Sequence, residues 1–77
     1  MKTEDRIKSV MSAVFDVPAE SLSDEASPHD VSSWDSIRHM NLLLALEDEF
    51  SIRFDDAEIP SLVNFRVIAA TVKAYAD

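Results

Sequence analysis

The sequence predicts an all-α bundle forming one domain over residues 1–77. Three observations predict it. Apolar residues recur at helical spacing in three stretches: Ile7, Val10, Met11, Val14 and Phe15; Leu42, Leu43, Leu46 and Phe50; and Phe65, Ile68, Ala69, Val72 and Tyr75. Prolines at 18, 28 and 60 interrupt the chain between these stretches. The hydrophobic fraction is 47%, enough for a core, although a chain this short removes only ~60% of its unfolded surface and must pack efficiently.

The first helix starts at Thr3, with Glu4 and Asp5 complementing the dipole in its first turn. Its single apolar stripe packs on one face, and Pro18 ends it near Phe15 or Asp16. Residues 16–33 form a long polar connection with Val17, Leu22 and Val31 as apolar anchors. So long a connection in so small a domain has a function or is disordered. It leads directly into Trp34-Asp35-Ser36, so the expectation is an ordered loop with Leu22 in the core and Trp34 covering the edge of the bundle.

Asp35 is the N-cap candidate of the central helix, and Ser36 stands at its first position. An anion esterified to that hydroxyl would lie beside unpaired N–H groups and the positive end of the dipole; the plainer reading is a second capping residue. At about 100° per residue, Leu42, Leu43, Leu46 and Phe50 share the core face, with His39 among them. Ile37, Met40 and Leu44 project elsewhere, flanked by Asn41, Glu47 and Asp48. A helix apolar on two sides is either buried within a larger protein or keeps one side for a partner, and so small a chain favours the second. The plainer reading of part of this surface is ordinary exposed apolar residues. After it, Ser51 to Phe54 reads as an extended connector with Ile52 and Phe54 inward. Asp55 to Glu58 resembles a capping box and predicts a short third helix closed by Ile59-Pro60. Asn64 caps the last helix.

Composition narrows function. There is no cysteine for a disulfide, a thiolate metal site or a thiol nucleophile, and no glycine for a phosphate-cradling loop. Fifteen acidic against seven basic residues give a net charge of −8, which disfavours nucleic acid and anionic membranes and suits basic-faced protein partners. Screening that charge with moderate salt or divalent cations is expected to raise the thermal midpoint. No apolar run reaches the ~20 residues of a membrane span and no signal-peptide pattern opens the chain, so the expectation is a cytoplasmic monomer.

Asp35, Ser36 and His39 suggest a hydrolytic triad, but no nucleophile elbow or glycine-lined cleft accompanies them; His39 reads as a core-edge histidine bonded to a neighbour. Asp55, Asp56 and Glu58 lack the alternating ligands of a calcium loop and read as caps. Neither a catalytic nor a metal site is expected. The Glu47-Asp48-Glu49 cluster is either a solvated face or, given the cost of dense like charge, a partner contact.

Asp35-Ser36-Ile37, followed by Leu42, Ala45-Leu46-Glu47 and Glu49-Phe50, resembles the Asp-Ser-Leu motif and second helix of acyl carrier proteins. The resemblance covers the whole chain: helix stripe, long loop, motif, short third helix and last helix follow in the family's order. It implies a four-helix bundle with three longer helices and 4′-phosphopantetheine on Ser36, attached from coenzyme A by a phosphopantetheinyl transferase. The thiol of that arm would hold acyl or aminoacyl groups as thioesters, without catalysis by the chain. Carried over residue by residue, Asp35 helps place Ser36, and Ile37, Met40, Leu44, Glu47 and Asp48 form the docking face. A loading ligase, acyltransferases, synthases and tailoring enzymes are the implied partners. The chain departs from the fatty-acid type at Arg38 and Asn41, where acids are usual, and at Ser33-Trp34, where a glycine is usual. These departures alter the partner-facing charge and favour a specialised polyketide, nonribosomal peptide or related pathway. The alternatives are a housekeeping fatty-acid carrier and an unmodified helical interaction module.

Overall fold

The computed structural model describes residues 2–76. It contains three α-helices, α1 (Thr3–Phe15), α2 (Ser36–Phe50) and α3 (Phe65–Ala76), and two 3₁₀ turns at Ala19–Ser21 and Ile59–Ser61. Each helix puts one apolar stripe into a shared core. Ile7, Met11 and Phe15 come from α1, Leu42, Leu43 and Leu46 from α2, and Phe65, Ile68, Ala69 and Val72 from α3. Phe50, expected on the core face, is half-buried at its rim, with the Arg6 guanidinium 4.3 Å above its ring.

Both inner helix ends use a left-handed residue without glycine, Asp16 (φ 57°) and Ser51 (φ 55°). Their N–H groups return to Ser12 and Glu47 carbonyls, which satisfies acceptors that the last helical turn leaves open. Asn64 caps α3 as expected, its Oδ1 accepting from the Val67 N–H at 2.9 Å.

The long loop is tied to the bundle at several points. Leu22, Ala26 and Trp34 are buried in the core, and Val17 and Val31 pack against it. The Ser33 hydroxyl donates to the Phe15 carbonyl at 2.8 Å, and the Phe65 N–H donates to the Ala26 carbonyl at 2.9 Å. One end of the loop is thereby fastened to the close of α1, and its middle to the start of α3. Trp34 is a core residue, not a cover for the edge: it is 3% exposed and stacks on Phe15 with ring centroids 4.9 Å apart.

The expected short third helix is found only in part, as a 3₁₀ turn rather than an α-helix. Asp55 and Glu58 do make a reciprocal turn, the Asp55 N–H donating to Glu58 Oε1 at 3.1 Å and Asp55 Oδ1 accepting from the Ala57 N–H at 2.9 Å. No α-helix grows from it. Pro60 has no N–H to return to the Asp56 carbonyl and its ring crowds that group, so the chain passes into the 3₁₀ turn Ile59–Ser61. Tyr75 also differs from expectation. It is 41% exposed at the rim, edge-on to Phe54, with its oxygen hydrogen-bonded to Glu58 and to the Asp55 N–H.

Candidate functional site

The start of α2 is built by Asp35 and by the loop that delivers it. Asp35 has extended backbone angles, φ −102° and ψ −177°, so its side chain turns back over the first helical turn. Its Oδ1 accepts from the Arg38 N–H at 2.8 Å, and its carbonyl accepts the first helical bond, from the His39 N–H, also at 2.8 Å. The N–H groups of Ser36 and Ile37 have no partner among the described residues. Ser36 is exposed at the first helical position, and its hydroxyl makes no hydrogen bond among the described residues. An unengaged hydroxyl therefore stands beside two open N–H donors at the positive end of a 15-residue helix, a place where an attached phosphate fits electrostatically.

Beside Ser36 lies an open groove of about 600 Å³. Trp34, Asp35, Ser36, His39 and Met40 form one side, and Pro28, Ile59, Pro60, Leu62 and Val63 complete it. It is large enough for a slender chain and apolar over most of its lining. Sequence reasoning did not locate it, because its far wall comes from two turns distant in sequence.

Trp34 and His39 form a polar pair at the inner edge of the groove. The indole Nε1–H donates to His39 Nδ1 at 2.9 Å. The histidine is thus bonded to a neighbour at the core edge, as its sequence position implied. Burial pushes its pKa below the ordinary value of 6.5, which keeps the ring neutral at neutral pH.

The outward side of α2 is apolar and open. Ile37 is 75% exposed, Leu44 59% and Met40 49%, in line with the expectation of a second apolar side. Asn41 and Asp48 are exposed alongside them, and Arg38 is half-buried near the start of the helix. The acidic cluster at the other end does not act as a unit. Glu47 is half-buried and its Oε2 accepts from the Phe54 N–H at 2.8 Å, holding the connector after the helix. Glu49 is gripped by Arg6, whose Nε and Nη2 both donate to Glu49 Oε2 at 3.2 and 2.9 Å. Asp48 alone of the three has no such partner among the described residues. The Asp55 carboxylate accepts within its own turn, and that of Glu58 accepts both from the Asp55 N–H and from the Tyr75 hydroxyl of α3. Among the described residues no helix is long and apolar enough to cross a membrane.

No family model matches the chain, and no curated protein does. Solved structures do match. One is the solution structure of a holo acyl carrier protein from Geobacter metallireducens, at 35% sequence identity and a TM-score of 0.85, covering 97% of this chain and 86% of that one. At that identity over nearly the full length, this chain belongs to the acyl carrier protein family.

Proposed function

We propose that the protein is a non-catalytic carrier whose Ser36 is esterified with 4′-phosphopantetheine by a phosphopantetheinyl transferase using coenzyme A. The observation that carries this reading is the exposed, unengaged Ser36 hydroxyl at the first position of α2, beside the open N–H groups of Ser36 and Ile37. When bound, the group supplies a terminal thiol that holds acyl or aminoacyl cargo as a thioester. The chain's own residues supply place and recognition. Asp35 fixes the helix start, the two N–H groups and the dipole favour the phosphate, and the adjoining groove offers the arm an apolar bed. The matched Geobacter metallireducens protein is described as holo, which supports the same modification here.

Ile37, Met40 and Leu44, with Arg38, Asn41 and Asp48, form the face that docks on partner enzymes, and Asp35 helps the transferase find Ser36. Glu47 contributes at the margin of that face while holding Phe54. Tethering raises the cargo's effective concentration at each docked enzyme without any chemistry by the carrier. With Arg38 and Asn41 where acids are usual, the charge on the face favours a specialised polyketide, nonribosomal peptide or related pathway over housekeeping fatty acid synthesis. A ligase that loads the arm, acyltransferases, synthases and tailoring enzymes are its partners, met by a cytoplasmic monomer. Efficient elongation by fatty-acid enzymes, with no loading by a pathway ligase, would overturn the specialised assignment.

The decisive experiment is intact mass after incubation with coenzyme A and a broad-specificity phosphopantetheinyl transferase. The expected result is the gain of one phosphopantetheine on the parent chain and none on a folded Ser36→Ala variant. No gain on the folded parent would overturn the carrier reading and favour an interaction module that uses the exposed Ile37, Met40 and Leu44 unmodified.

A further inference from the structure

We infer that His39 is a binding residue for the group on Ser36: Trp34 holds its ring in one tautomer, and its Nε2–H donates a hydrogen bond to the phosphodiester. The inference rests on the reading of Ser36 as the attachment site.

The tautomer follows from the partner. An indole N–H is a donor only, so the His39 Nδ1 that it meets at 2.9 Å is an acceptor, and the proton of the neutral ring sits on Nε2. That nitrogen has no partner among the described residues. No side-chain nitrogen or oxygen among them is both buried and unpaired, so Nε2 reaches solvent.

The direction follows from helix geometry. His39 lies three residues after Ser36, a rise of about 4.5 Å, on the same side of the helix. Helical side chains lean toward the N-terminus, and with Nδ1 occupied by Trp34 the Nε2–H is the edge of the ring left to face the groove. Ser36 and His39 border the same groove. Its far wall, Pro28, Ile59, Pro60, Leu62 and Val63, carries no charge. The charged groups near His39 in sequence are Arg38 on its own helix and the carboxylate of the N-cap Asp35, which already accepts from the Arg38 N–H. Among the side chains bordering the groove, His39 is therefore the one N–H donor not already engaged within the described residues. An anion on Ser36 has a fixed donor one turn away.

The test is an NMR titration of His39 before and after conversion by the transferase, with intact mass recording conversion, and a ³¹P titration of the converted protein. A phosphodiester does not titrate near neutrality, so an inflection in its resonance reports a neighbouring group. The expected results are a rise of about one pH unit in the His39 pKa on conversion, and a ³¹P inflection at the same midpoint. In converted His39→Gln the inflection disappears although His29 is still present. Trp34→Phe keeps an aromatic ring but removes the N–H, and is expected to turn the single His39 tautomer into a mixture, read from ¹⁵N shifts. Conversion with an unmoved His39 pKa and a flat ³¹P resonance would overturn the inference and leave the attachment reading standing. A single tautomer persisting in Trp34→Phe would overturn the role given to Trp34. Absence of the mass gain would overturn the attachment reading and this inference together.

Discussion

The two sides of α2 carry the same kinds of residue and meet opposite fates. Leu42, Leu43 and Leu46 are at most 3% exposed, whereas Leu44, set among them in sequence, is 59% exposed and Ile37 75%. Side-chain chemistry does not explain the difference; angular position against α1 and α3 does. The inward side holds the bundle together, and the outward side contributes little to that task. Ser36 and His39 stand near the boundary between the two, at the mouth of the helix. The comparison teaches that in a domain this small, apolar surface beyond what the core can take is a resource for contact with other molecules.

Truncation on the two sides tests that division most strongly. Leu46→Ala should lower unfolding stability by about 2–5 kcal/mol through lost burial and a cavity. Leu44→Ala should change it by less than about 0.5 kcal/mol while slowing turnover by partner enzymes. Urea denaturation of both variants decides the matter, and a Leu44→Ala loss as large as that of Leu46→Ala would erase the distinction between the sides. The cap at the boundary should matter less. Asp35→Ala is expected to cost about 1 kcal/mol, as removal of an N-cap acceptor does, and to slow modification of Ser36 more than it weakens the fold. Urea midpoints set beside transferase kinetics separate the two effects.

Acidity gives the smallest and finest test, because His39 joins the boundary to the core. Its pKa is lower in the folded chain than the ordinary value of 6.5, so between the two values the unfolded chain binds the proton more readily. Its contribution is fully present above the unfolded value and is lost as pH falls through the folded one. Thermal midpoints should therefore begin to drop as pH passes below about 6.5, and His39→Gln should flatten that part of the profile. Further loss is expected lower in the acid range, as Glu4 and Asp24 protonate. The Lys73 and Lys8 ammonium groups hold these carboxyls below their usual values through hydrogen bonds. An unchanged midpoint across the upper window would class His39 with the exposed side.

Much of this architecture was legible in the sequence because it is local. The stripes of α1, α2 and α3 follow from residue spacing, and Asp35 and Asn64 announce their caps by type and position. The exposed second side of α2 could be counted from the same periodicity. What escaped depended on contacts distant in sequence. Arg6 takes Glu49 from 43 positions away and so divides an acidic run that looked uniform. Trp34 and Ala26 belong to the core because the loop folds back against the bundle, which no periodicity in the loop records. The short third helix is present only as a 3₁₀ turn for a local reason: Pro60 permits a tight turn but not the growth of an α-helix. The groove could not be read at all, since its walls meet only after the turns at Pro28 and Pro60 are folded against α2.

The Phe15–Trp34–His39 stack has an optical consequence. Trp34 is the only tryptophan in the chain, so its emission reports on one place, the junction of α1, the long loop and the mouth of α2. A charged imidazolium quenches indole emission more than a neutral ring does, and the neighbouring groove sets how much water the fluorophore sees. Without any label, the protein carries a lamp beside its own Ser36. The modification of that serine proposed above would be followed in real time as changes in colour and brightness.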